Sequence, residues 1–358
     1  MNMKNKIKEL RARRLERKLT KAEAAERMPR ITNETVASHR EEILSGARKY
    51  IYPLQHSKHK VVIITSSLFV TAVLAFATYC VVSLYKLQST STFLYRVTQV
   101  LPFPVAKSGG TYIAYENYLF ELRHYMHYYE TQQKLSFKTD SGRQQLNSYK
   151  QRALDKVSND ASIKQIAREK SITVSDAEID TQISRSRALN RLGGSDRVFE
   201  DVIREYYGWT LSDFKRSLRT QLLEQKVNAA LDTDAQNKVA TVDASLKANM
   251  SFADVAKQYS DDEATKQLGG EFGILDKANT TVSPQTIDTL FKLQPGQVSG
   301  PVIISYDTGY ALEIIKSLEI TGNKAKGAHI VIRLKDINAF LNDNTEKHPN
   351  RRYIKLAK

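Results

Sequence analysis

The chain has 358 residues, 41% of them hydrophobic, with 54 Lys+Arg against 39 Asp+Glu and a formal charge of +15. Its one cysteine excludes a disulfide-stapled scaffold, so any folded domain is held by its core alone. So basic a chain raises nucleic acid as a partner, but the placement of the charge argues against it. Residues 1–60 carry 16 Lys+Arg against 7 Glu, a net of +9, and the other 298 residues carry only +6. A basic arm of this kind meets anionic lipid headgroups instead. Lys4–Lys21 reads as a dense, mobile basic run, and Thr35–Tyr50 as a helical stretch near the inner leaflet.

Val61–Tyr85 contains no Asp, Glu, Lys or Arg and is bracketed by Lys60 and Lys86. About 20 apolar residues cross a hydrocarbon core of about 30 Å, so 61–85 is predicted to be a transmembrane helix. The preceding arm is too long for the n-region of a cleavable signal peptide. Basic flanks stay cytoplasmic, which predicts a single-pass protein with residues 1–60 inside and 86–358 outside.

Residues 86–101 read as a polar tether, ended by Pro102 and Pro104. Val105–Ala114 predicts a strand, a Gly109-Gly110 turn and a second strand. Tyr115–Glu130 turns helical, with Leu119, Leu122, Tyr125, Met126 and Tyr129 on one face. Ser141–Lys170 is a second long helix. Ser175 and Glu178 form a capping box for a third, Gly193-Gly194 and Gly208 punctuate the next segments, and Thr210–Lys226 is another amphipathic helix. The order of a strand pair followed by helices, with Thr173–Asp180 and Phe214–Val227 as its most telling segments, resembles the amino-terminal chaperone domain of the SurA, PrsA and PpiD group. The resemblance implies a chaperone domain over 102–234.

Three later blocks resemble the parvulin family of peptidyl-prolyl isomerases, in family order and at family spacing. They are Phe252–Asp262, Gly269–Gly273 and Leu290–Val302. A parvulin domain normally opens with a strand containing Ala-His-Ile. Residues 228–250 supply none and lead into a helix over Ala235–Lys247. The motif stands instead at Gly327–Leu334, after the usual last strand Gly309–Ile315, across a turn-like linker Thr321–Gly327. First and last strands are antiparallel neighbours in the family, so residues 235–335 read as one circularly permuted parvulin-like domain. The rival reading, a second truncated copy, leaves only 29 residues after His329 and an exposed strand edge. Residues 336–358 read as a C-terminal tail. The expected fold class is α+β: a transmembrane helix, a largely helical chaperone domain, and an antiparallel sheet with helices.

The resemblance implies His329 and Asp262 as the catalytic pair, hydrogen-bonded beneath the substrate amide. It implies Val282, Thr286, Phe291 and Phe272 as the substrate-binding wall. Val282 and Thr286 stand where the family has Met and Phe, and Ala311 follows Gly-Tyr where the family has a last-strand histidine; all three point to a weaker enzyme. Rotation about an X–Pro bond needs neither cofactor nor metal, and none is expected. His124 and His127 read as flanking a packing face, Gly269-Gly270 as a strand-entry turn, and Ser260, Ser283 and Ser299 lie in no nucleophile motif. The expected function is a membrane-anchored isomerase that assists newly exported polypeptides, with a non-catalytic holdase as the alternative. The expected partners are unfolded chains and the membrane, not nucleic acid.

Overall fold

A computed structural model of the chain describes residues 3–26, 32–51, 54–108, 110–188, 195–347 and 351–356. The Gly193-Gly194 signal and Gly109 lie outside the described residues. The chain divides into two compact units, Met1–Tyr79 and Cys80–Lys358.

The first unit is helical. The basic run lies within α1 (Met3–Glu26), followed by α2 (Asn33–Ile51) and α3 (Leu54–Val81). One helical stretch, His59–Lys86, is long and apolar enough to cross a membrane. Its large side chains stand without protein cover, with Ile63 66%, Leu68 71% and Phe69 70% exposed. The hydroxyls of Thr65, Thr71 and Thr78 each donate to the carbonyl four residues back, so these side chains are satisfied within the helix.

The second unit begins at Cys80, and here the structure corrects two expected boundaries. Cys80 and Leu84 are fully buried in a core with Leu119, Leu122 and Leu154, so the last turns of the apolar run belong to this core. The tether expected over 86–101 is largely the helix α4 (Thr92–Val100), capped by Ser91, with Leu94 and Thr98 buried. Its apolar residues recur at helical spacing, which the Ser/Thr content before it obscured. The strands β1 (Pro104–Ser108) and β2 (Thr111–Ala114) pair antiparallel and lead into α5 (Tyr115–Thr131), which packs along α6 (Asp140–Glu169). Leu119 and Leu122 of α5 are fully buried, and Tyr125, Met126 and Tyr129 pack beside them, as the helical spacing predicts. Next come α7 (Asp176–Ala188), opened by the Ser175–Glu178 box, α8 (Asp196–Val202), continued by a π turn over Ile203–Tyr207, and α9 (Leu211–Leu231). Thr210 and Asp213 form a second capping box on α9.

Helices α10 (Thr233–Lys247), α11 (Phe252–Tyr259) and α12 (Glu263–Lys266) precede β3 (Glu271–Asp276). There follow α13 (Pro284–Leu290), β4 (Val302–Tyr306), β5 (Gly309–Thr321) and β6 (Lys324–Arg333). The strands form one antiparallel sheet in the order β3-β6-β5-β4. The Ala-His-Ile strand β6 is therefore central, paired to β5 from Thr321↔Lys324 to Ala311↔Arg333. The linker expected over Thr321–Gly327 is tighter than predicted, a two-residue turn at Gly322-Asn323. Strand alternation sends Leu312, Ile314, Ala328, Ile330 and Ile332 to one face, where they bury against Ala235, Val242, Phe252 and Val255. The opposite face carries Glu313, Ile315, Ser317 and His329.

Within residues 336–358, expected as a tail, the described parts 337–347 and 351–356 pack into the helical part. Helix α14 (Ile337–Lys347) buries Ile337 and Leu341 against Ile163, Ile166 and Val227. The short strand β7 (Arg351–Arg352) extends the first hairpin in the order β2-β1-β7, and Ile354 is 3% exposed in the first core. The four-stranded sheet is thus an insertion between α9 and α14. Asp232 joins the two crossings: its side chain accepts from Ala235 N at 3.0 Å and from Lys335 N at 2.7 Å.

Candidate functional site

His329 sits near the middle of β6, opposite Ile315. Its ring is held on both sides. Nδ1 lies 2.6 Å from Glu313 Oε1, and Nε2 lies 3.0 Å from Asp262 Oδ2 and 3.0 Å from Thr265 Oγ1. Asp262 caps α12 and accepts further hydrogen bonds from Thr265 Oγ1 and, at 2.8 Å, from Tyr306 OH. The second oxygen of Glu313 accepts from Thr286 Oγ1. Glu313 and Thr286 are 1% exposed, His329 and Asp262 8%. A buried polar cluster of this kind persists only when its members are paired, and here each one is.

Charge follows the geometry. Burial disfavours a charged His329, but the hydrogen bonds and charges of Glu313 and Asp262 outweigh it and raise the imidazole pKa. Burial likewise works against the Asp262 carboxylate, yet hydrogen bonds from Thr265, Tyr306 and His329 bring it down to about 2.

The backbone explains the placement. Beyond β3, the edge of β6 is completed by a loop rather than a strand. Asp261 N donates to Val331 O at 2.7 Å, Val331 N to Ser260 Oγ at 3.2 Å, and His329 N to Gly270 O at 2.8 Å. Asp262 is thereby pinned one side chain away from His329. Gly270 has φ +81°, and a Cβ there would lie 2.1 Å from His329 O, so only glycine fits. This gives the Gly269-Gly270 turn at the entry to β3 its physical reason, and Ser260 acts as a strand clamp.

An apolar cluster adjoins the ring. Phe272 meets His329 edge-on at 5.0 Å between centroids. Phe272, Val282 and Phe291 are half-buried around Leu275, Ile287, Leu290 and Leu293. Gly327 leaves room for this: a Cβ there would lie 2.5 Å from the Phe272 ring.

Of the residues read from sequence, His329 and Asp262 come together, and Phe272, Val282 and Phe291 share one cluster beside them. Thr286 turns inward to Glu313 rather than outward. Ala311 is fully buried against Ile304 and Val331, and does not meet His329. The last-strand residue that does is Glu313, two positions along on the same face, which sequence reasoning missed together with Thr265 and Tyr306. Glu313 had a signal, as the lone charge in the apolar run Tyr310–Ile315. Thr265 and Tyr306 had none. His124 and His127 hydrogen-bond the carbonyls of Tyr207 and Glu205. No group of His, Cys, Asp and Glu that could hold a metal ion occurs among the described residues.

Comparison with known proteins agrees with the two-part layout. A family described as SurA-like N-terminal domain matches residues 54–228, and one described as PPIC-type PPIase domain matches 222–319. The chain joins a SurA-like domain to a parvulin-type rotamase domain. Among its relatives is a foldase protein PrsA of Caldanaerobacter subterraneus, 27% identical over 232 residues, which are 61% of this chain and 71% of the relative. A foldase protein PrsA of Enterococcus faecalis is 28% identical over 159 residues, 40% of this chain and 44% of that protein, so less than half of its length is spanned. A crystal structure of foldase protein PrsA from Streptococcus pneumoniae matches at 20% identity over 52% of this chain and 73% of that one, with a TM-score of 0.18. The match to the rotamase family ends at residue 319, before the strand that carries His329.

Proposed function

We propose that the chain is a membrane-anchored foldase whose rotamase domain isomerises X–Pro bonds in newly exported polypeptides. The observation that carries this reading is the buried His329–Asp262 pair, 3.0 Å apart and flanked by Phe272, inside a parvulin-type domain. The barrier to rotation, about 18–20 kcal/mol, is amide resonance. A site lowers it by seating the proline ring on an apolar surface and favouring the twisted amide over the planar one. Phe272, Val282 and Phe291 supply the surface, and the Asp262–His329 pair supplies the fixed polar groups. No nucleophile or bound cofactor takes part in such a step.

We also read the domain as circularly permuted. The central position of β6 and the end of the family match at residue 319 both support this, because a strand outside the match completes the sheet. The apolar, uncovered helix and the +9 arm support anchoring with the amino terminus inside.

The test is turnover of a proline-containing peptide by the full-length chain in detergent. His329→Ala and Asp262→Ala should each lower kcat/KM at least about tenfold, the scale on which a positioned polar group acts, while cooperative melting persists. Turnover equal to wild type in both variants would remove the pair from the mechanism. The half-buried Val282 and inward-turned Thr286, where the family has larger side chains, favour the holdase as second reading. Peptide binding without any wild-type turnover would select it.

A further inference from the structure

We propose that Glu313 is a positioning residue of the isomerase centre, holding the His329 ring so that both its nitrogens carry protons and Nε2 is aimed at Asp262. The proposal rests on the isomerase reading above and assigns a role to a residue outside the pair that reading uses. A carboxylate that is 1% exposed in the face of a sheet is tolerated only when its oxygens are occupied. Those of Glu313 are: one meets His329 Nδ1 at 2.6 Å, and the other accepts from Thr286 on α13. With both flanking carboxyl groups ionised, each can only accept hydrogen bonds from the ring. Each ring nitrogen therefore has to donate. A neutral imidazole would turn a lone pair toward either Glu313 or Asp262 at hydrogen-bond distance.

The groups facing the ring come from three elements. Glu313 lies on β5, Asp262 and Thr265 at α12, and Phe272 on β3, while Tyr306 of β4 reaches the ring only through Asp262. Arg333 stacks over Tyr306 at 5.1 Å and pairs with Asp307. Two carboxylates thus share one imidazolium. A ring already donating from both nitrogens is occupied and acts as a fixed charge rather than a proton shuttle. Removing the Glu313 charge leaves burial, which favours the neutral ring, opposed by Asp262 alone.

The experiment is nitrogen NMR of the full-length chain, labelled at histidine and held in detergent, with the His329 signals assigned by their loss in His329→Ala. In the wild type both ring nitrogens should be protonated at pH 7. In Glu313→Gln the ring should become neutral at a pH lower by at least about one unit, the scale of losing an adjacent opposite charge. The fall of kcat/KM with rising pH should move by the same amount, and Glu313→Asp should recover part of both shifts. A neutral wild-type ring at pH 7, or a Glu313→Gln ring that titrates like wild type, overturns the proposal. If Glu313→Gln does not melt cooperatively, the wild-type ring state decides alone. Absent wild-type turnover would sink the isomerase reading, while the ring measurement would still decide what Glu313 does.

Discussion

Asp262 is the residue at which folding and chemistry are most tightly linked. Its carboxylate accepts from Thr265, Tyr306 and His329, which bring its pKa below the ordinary 3.8 to about 2. A group depressed on folding contributes stability that is complete above its unfolded pKa and is lost as pH falls through the folded value. His329, raised on folding, behaves oppositely: its contribution is complete below 6.5 and is lost as pH rises through the raised value. The thermal midpoint of Asp262→Asn should therefore lie furthest below wild type between about pH 5 and 6.5, converge with it toward pH 2, and approach it again as His329 loses its proton at higher pH. A gap that does not change over that range would show that these hydrogen bonds do not hold the charge. Gly270 makes a second test at the same scale. Its positive φ and its 2.1 Å clearance to the His329 carbonyl leave no room for a methyl group. Gly270→Ala should cost about 2–4 kcal/mol, through strain and the displaced strand together, read as a drop in the denaturation midpoint. An unchanged midpoint would mean that the loop does not clamp β6.

Elements were legible where local chemistry decides them. The Ser175–Glu178 box opens α7, and the apolar spacing of Leu119, Leu122 and Tyr129 gives the buried face of α5. The misplaced Ala-His-Ile strand was legible because its partner, the run from Gly309, stood across a polar turn. What stayed hidden was long-range. Nothing local in Thr92–Val100 says that Leu94 meets the core of α5 and α6. Nothing in 351–356 says that two arginines and Ile354 return to β1. Glu313 was hidden for a related reason: the family pattern counts from Gly309-Tyr310, whereas the sheet counts by pleat from the strand opposite. The return of the chain gives an element-scale prediction. Asp232, 2% exposed, satisfies the N–H groups of Ala235 and Lys335, one on each crossing into the inserted sheet. Asp232→Ala leaves the buried Ala235 N–H without a partner and frees that of the exposed Lys335, and should cost about 1–3 kcal/mol, the scale of one orphaned buried group. Amide exchange should speed at Ala235 and Lys335 before it does at His329. Protection unchanged at those two amides would show that the crossings do not depend on this carboxylate.

At the scale of the whole chain, charge and apolarity are segregated. The +9 arm lies wholly before the apolar run, and the catalytic candidates lie wholly after it. Cys80 and Leu84 are buried in the second unit while Val81 and Val82 between them are exposed, so the stretch uncovered without interruption is Val61–Tyr79. About 19 residues at 1.5 Å each span roughly 28 Å, close to the thickness of a hydrocarbon core. Residues 86–101 then supply the packed helix α4 rather than the tether that their composition suggested. Lys and Arg flanking a span are retained on the cytoplasmic side, so the sheet carrying His329 should face outward. Protease added to intact cells should degrade epitopes in the rotamase domain and spare one placed in residues 1–60; after lysis both should be cut. Protection of the rotamase domain in intact cells would reverse the orientation and with it the assignment to exported clients. The burial of Leu94 and Thr98 on α4 adds a stricter expectation. Protease should find no early cut between residues 80 and 101, because α4 is packed, and a rapid cut there would restore the tether.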